Sequence, residues 1–210
     1  MNNALHKPVE AHHVHQRHFD RLVMLSDGVF AIAITLSALE VRPEAQPGQS
    51  LWEAWSKPLG IYFLCFFLIG QQWVLHRRIV AQVRHLDGPA TVINLVLLSL
   101  IALIPIVVRS TLSGQFQGGA TLIYSLAVAS TFACLAVFWW YLAFQAELAP
   151  DMDRQLAKVW LWQKIIVVVA FAGVACYSIH QFLAMAGCAI AFVAVRLHTW
   201  RLQHPAKPAG

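Results

Sequence analysis

Residues 21–41, RLVMLSDGVFAIAITLSALEV, decide the class of this protein. Arg21, Ser26 and Asp27 open a run that otherwise has a membrane-crossing pattern. Between Asp27 and the next charge, Glu40, only Thr35 and Ser37 interrupt small and apolar side chains. A carboxylate at the mouth of such a helix is costly unless it faces protein, water or a partner charge. The helix is therefore expected to be functional and to face the interior of an assembly rather than lipid.

The rest of the chain agrees with a membrane class. Of 210 residues, 59% are hydrophobic and 12% charged, more apolar surface than a soluble domain of this size can bury. A crossing helix needs about 20 apolar residues. Spans are expected at residues 22–41, 58–75, 89–108, 120–144, 162–179 and 181–197. Pro43, Pro47 and Gly48 mark the first loop, and HRRIVAQVRHLDG (76–88) the second. Residues 110–119 make a Ser/Gly/Gln turn, AELAPDMDRQLAK (146–158) is a charged loop, and a tight hairpin near 178–181 joins the last two spans. Pro105, inside the third span, lacks an N–H and is expected to kink it. The fold class is thus all-α integral membrane, with six transmembrane helices per subunit.

Charge sets the orientation. The N-terminus, the loops near 76–88 and 145–164 and the C-terminus hold Lys7, Arg17, Arg21, Arg77, Arg78, Arg84, Arg154, Lys158, Lys164, Arg196, Arg201 and Lys207. The opposite side holds only Arg42, Lys57 and Arg109. Such a bias places both termini in the cytoplasm, which requires an even number of spans. The organisation is a cytoplasmic His-rich tail (1–19), a six-helix transmembrane domain (20–199) and a cytoplasmic C-terminal tail (200–210). The net charge of +5 is then topology, and no nucleic-acid partner is expected. Residues 1–20 lack the apolar run and cleavage site of a secretory signal, so the first span is expected to target the chain. Trp52, Trp55, Trp139, Trp140, Tyr141, Trp160, Trp162 and Trp200 fall near span ends, where aromatic rings favour the interface.

At about 100° per residue, Leu25, Gly28, Ile32, Leu36 and Leu39 form one narrow stripe on the first helix, with Thr35 at its edge. Ser26 and Asp27 point away from it. Two readings are open for the stripe, a packing seam or a pore lining. Two are open for Asp27, a buried structural ion pair or cap, or a functional group. Arg21 and Asp27 lie about 120° apart around the helix, so their partners are expected on other helices.

A resemblance weighs on these alternatives. The run Arg21-x-x-x-Leu25-Ser26-Asp27, with its apolar continuation Gly28 to Leu36, resembles the R-x-x-x-F-S-D signature of the bacterial TMEM175 (DUF1211) potassium-channel family. Gln72-Trp73-Val74-Leu75-His76-Arg77 is similar to that family's W-x-N-H segment. Asn94 to Leu98 with Leu103-Ile104-Pro105 is similar to its N-L-L-L-L…L-P pattern. Leu25 stands where the signature has phenylalanine, which could loosen the packing that anchors the helix. Leu75 stands where it has asparagine, so one hydrogen-bonding group is missing near His76.

The resemblance implies a homotetrameric, multi-pass potassium channel of the bacterial cell membrane, with the first helix of each subunit lining a central pore. The chain has no T-V-G-Y-G carbonyl filter. Instead, Ile32, Leu36 and Leu39 are implied as apolar constriction rings, with Thr35 offering hydroxyls to a partly dehydrated ion. Arg21, Ser26 and Asp27 are implied to hold the helix through hydrogen bonds, with Trp73, His76 and Asn94 as partners. Selection of potassium over sodium is expected to be weak. No metal site, no cofactor and no enzymatic activity are expected; the partners are a second copy of the chain, the lipid bilayer and potassium ions.

Other features carry less. Cys65, Cys134, Cys176 and Cys188 lie in separate spans without a C-x-x-C, as small packing residues do. His12, His13, His15 and His18 read as a solvated tail with no fixed partner. His85 and His180 read as surface residues, Gly187-x-x-x-Ala191 as a close-packing step, and Glu40 with Glu44 as an outer cation-attracting ring or a polar helix end. No H-E-x-x-H or G-x-S-x-G supports an enzyme. The alternative function is a secondary transporter or proton-coupled carrier. It lacks support from inverted repeats, because spans one to three do not resemble spans four to six.

Overall fold

The computed structural model describes residues 11–39, 41, 48–112, 119–179 and 183–203. They form α1 (Ala11–Leu39), α2 (Leu51–Val80), α3 (Gly88–Leu112), α4 (Ala120–Trp140), α5 (Arg154–Ile179) and α6 (Leu183–Gln203). A π turn, Tyr141–Gln145, continues α4. Five of these segments are long and apolar enough to cross a membrane: Gln16–Leu39, Leu51–Val80, Gly88–Thr111, Ala120–Gln145 and Arg154–Ile179. The sixth helix contributes a shorter apolar stretch, Ala189–Trp200. Its later turns carry Arg196, His198 and Arg201, which shorten the apolar run.

Several helices begin earlier than hydropathy alone indicates, because helix starts are set by caps rather than by apolar content. α2 opens ahead of Pro58 on a reciprocal capping box: Ser50 Oγ accepts from Glu53 N at 3.3 Å, and Ser50 N donates to Glu53 Oε2 at 2.8 Å. Gly48, at φ +90, makes the left-handed step just before that box. α3 is capped by Asp87, whose Oδ1 accepts from Ala90 N at 3.0 Å. α5 begins at Arg154, with Asp153 Oδ2 accepting from Leu156 N at 2.9 Å. α1 extends back to Ala11, so part of the His-rich tail is helical. α3 continues through the buried Pro105 to Leu112.

Packing runs in sequence order with one crossing. α1 packs on both α2 and α3, α3 on α4, α4 on α5, and α5 on α6. The core lies between α1 and α4: Phe30 and Ala33 from α1 meet Ile69 and Ile79 from α2, Leu97 and Ile101 from α3, and Leu135, Phe138 and Trp139 from α4. The loops on the Val80 side are tied together. Tyr141 Oη donates to Asp87 Oδ2 at 2.5 Å, and Arg84 pairs with Asp151 at 2.7 Å. Beyond the π turn, Glu147 takes a left-handed φ of 51, and Leu148 N donates back to Leu142 O at 2.8 Å.

Two residues depart from their sequence reading. Trp139 is fully buried instead of lying in an interfacial belt, because its Nε1 finds Ala157 O at 2.9 Å on α5. Lys164, one of the charges used to orient the chain, is also buried. Its Nζ donates to Trp160 O at 3.0 Å and lies 5.9 Å and 5.8 Å from the ring centres of Trp139 and Trp160. Cys134 and Cys176 carry free thiols, and Cys65 is buried in the core. A Cβ added at Gly187 would meet nothing within 4 Å, so no described residue makes a close approach at that step.

Candidate functional site

The two faces of α1 differ in kind. Ser26, Phe30, Ala33 and Ser37 recur at helical spacing and are buried. On the other side, Ile32, Leu36 and Leu39 are 58%, 44% and 69% exposed, and Leu25 and Thr35 are exposed with them. The hydroxyls of α1 are each satisfied inside the helix. Ser26 Oγ donates to Leu22 O at 2.9 Å, Thr35 Oγ1 to Ile32 O at 3.0 Å, and Ser37 Oγ to Ile34 O. That removes most of the cost of placing hydroxyls at membrane depth. It also leaves the exposed Thr35 oxygen able to accept hydrogen bonds.

Across the buried face runs a directional chain of hydrogen bonds. His76 Nε2 lies 2.8 Å from Asn94 Oδ1, and Asn94 Nδ2 donates to Ser26 Oγ at 3.0 Å. An amide oxygen only accepts, so His76 carries its proton on Nε2 in this arrangement. Ser26 then passes its own proton to the α1 backbone, and the chain ends satisfied. All three side chains are almost wholly buried. The His76 ring is stacked on Phe138 of α4, at 5.9 Å and 6°, with Phe30 of α1 tilted against it at 5.4 Å. One imidazole thus touches α1, α3 and α4 from its place on α2.

A second tie lies one residue along α1. Trp73 Nε1 donates to Asp27 Oδ1 at 2.8 Å, and the Arg77 guanidinium lies 5.3 Å from the centre of the same indole. The indole N–H satisfies part of the carboxylate, which is otherwise exposed. Ser26, Asp27, Trp73, His76 and Asn94 are therefore brought together by α1, α2 and α3. Arg21 is placed elsewhere. It lines a cleft of about 580 Å³ with His18, Phe19, Leu25, Leu86 and Asp87, and among the described residues it makes no hydrogen bond or ion pair. The reason is distance along the helix: Arg21 is six residues, about 9 Å of rise, before Asp27.

Sequence reasoning missed Arg77, Phe30 and Phe138 as parts of this site, and also Gln72, whose Nε2 donates to Thr131 Oγ1 at 3.0 Å. Gln72 and Arg77 flank the Trp-His segment, so polarity in a hydrophobic helix was a usable signal for both. Phe138 gives no such signal among the other aromatic residues of α4. Glu40, Glu44 and His180, and the side chains of His12, His13, His15 and Cys188, lie outside the described residues. Among the described residues no cluster of three or more His, Cys, Asp or Glu could hold a metal ion.

The polar residues thus gathered, from Ser26 to Asn94, lie within the segment that known proteins share. The family model described as the endosomal/lysosomal potassium channel TMEM175 matches residues 21–105. A potassium channel of Streptomyces collinus is 30% identical over 148 residues, which is 66% of this chain and 71% of that protein. The chain belongs to the TMEM175 potassium channel family. The crystal structure of a lysosomal potassium-selective channel TMEM175 homolog from Chamaesiphon minutus superimposes with a TM-score of 0.59. It covers 88% of this chain and 99% of its own, at 23% identity, and so speaks to the fold. As a member of an ion-channel family built from apolar helices, the chain is a multi-pass membrane protein.

Proposed function

We propose that this chain is one subunit of a homotetrameric potassium channel whose central pore is lined by α1. The observation that carries the reading is the asymmetry of that helix: a hydrogen-bonded, buried face opposite an apolar face that is left exposed among the described residues. Four copies of the bare face around one axis would set Ile32, Leu36 and Leu39 as successive rings. Their spacing along the axis is about 6 Å and then about 4.5 Å. Rings of this kind dewet when narrow, which blocks all ions, and a small widening readmits water. Potassium sheds water more readily than sodium, so a dehydrating constriction favours it modestly. The Thr35 oxygen lies between the first two rings, where it replaces part of the lost hydration.

In this reading the polar chain through Ser26, Asn94 and His76, with the Asp27–Trp73 bond, holds α1 in the one rotation that turns its stripe to the axis. Arg21 sits at the cytoplasmic mouth, beside the cleft, with both termini in the cytoplasm and the tetramer in the cell membrane. The conducted ion is the only non-protein component the mechanism requires. Membership of a channel family does not favour the carrier reading. The test is potassium and sodium flux into liposomes holding the purified protein, with Ile32→Ala and Thr35→Ala alongside. Potassium flux above sodium, with the ratio altered by either substitution, is the expected result. Absence of flux under every gradient would sink the proposal.

A further inference from the structure

Gln72 leaves one polar atom unaccounted for. The side chain is 5% exposed, and its Nε2 is used by Thr131, whose own Oγ1 donates to Val128 O at 2.8 Å. Gln72 Oε1 is buried, and among the described residues no donor reaches it. Exchanging the amide's two ends does not help. Thr131 has a single proton, so it could serve Oε1, but the two protons of Nε2 would then be orphaned in an apolar setting. Either way the pair is one partner short. A buried group left in that state is costly, and such groups are commonly satisfied by internal water.

The place for that partner lies beside the amide. Leu68, Ile69, Gln72, Ile104, Val128 and Thr131 line a cavity of about 10 Å³ between α2, α3 and α4. This is room for about one water molecule. Thr131 Oγ1 accepts one bond from Gln72 and keeps a second lone pair. We propose that this cavity binds a single water molecule, which donates one proton to Gln72 Oε1 and the other to Thr131 Oγ1. A cation is the wrong occupant. The site offers two neutral oxygens and four aliphatic side chains, which leave a desolvated charge uncompensated. The water completes the polar bridge between α2, which also carries Trp73 and His76, and α4. It depends on neither tetramer nor pore.

The experiment is a high-resolution crystal structure of the full chain grown with thallium(I) nitrate in place of potassium salts. The expected result is one density peak within hydrogen-bond distance of both oxygens, with no anomalous signal, lost in Gln72→Met. An anomalous peak there would mean a cation and overturn the assignment. So would the absence of any peak, or a peak that survives in Gln72→Met. If that variant does not fold, the wild-type maps decide alone.

Discussion

α1 and α2 both present bare apolar faces, and each is tied to its neighbours by polar side chains elsewhere on the helix: Ser26 and Asp27 on α1, and Gln72, Trp73 and His76 on α2. The exposed face of α2 carries Phe63, Phe66 and Phe67, bulky rings of which Phe66 and Phe67 meet edge to face, a composition that suits lipid. The exposed face of α1 carries Ile32, Leu36 and Leu39, narrow aliphatic side chains with Gly28 and Thr35 among them. Opposite that face, Ser26 and Asp27 are bonded to Asn94 and Trp73. A face that meets lipid sets no rotation of its own, because every lipid tail is an equivalent neighbour. A face that must meet a defined partner does. The difference points to a specific neighbour for α1 and a non-specific one for α2.

The comparison can be broken first at the buried face. Asn94→Leu orphans the buried His76 Nε2–H, at a cost of about 1–3 kcal/mol, and unlinks Ser26, which keeps its own bond to Leu22 O. We predict the largest loss of thermal stability for this variant, read as the melting temperature by size-exclusion chromatography after heating. An unchanged melting temperature would mean that the hydrogen-bonded chain does not hold α1. Trp73→Phe keeps an aromatic ring over Arg77 but removes the donor to Asp27. Because Asp27 is exposed, the expected destabilisation is smaller, about 0.5–1.5 kcal/mol in the same assay.

The bare faces sharpen the contrast from the other side. Ile32→Ala is predicted to stay within about 0.5 kcal/mol of wild type in a single folded subunit, since it truncates an exposed side chain. It should nevertheless change the potassium-to-sodium flux ratio in liposomes. Phe67→Ala truncates a side chain of similar exposure on α2 and is expected to leave both stability and flux ratio unaltered. If Phe67→Ala shifted the ratio as much as Ile32→Ala, the distinction between the two faces would be lost.

Much of the fold was legible from local sequence. The apolar runs locate the helices, and the 25–39 stripe and its separation from Ser26 follow from helical spacing alone. The extra turns at the start of α2 and α5 were not read from hydropathy, though the Ser50–Glu53 box and the Asp153 cap that set them are short-range. The same limit applies to Lys164: counted as a flanking charge, it is accommodated in the core by two indoles and a carbonyl that α4 and α5 bring together.

The sequence by itself determined the membrane class, the polar opening of the first helix and the periodic stripe behind it, because hydropathy and the 3.6-residue repeat act over a few turns. Only the tertiary structure decided which groups meet. Trp73 reaches Asp27 across 46 residues and Asn94 reaches Ser26 across 68, while Arg21 of the same motif reaches neither. Those pairings depend on the rotation and crossing of separate helices, which packing of the whole bundle settles and no local pattern encodes.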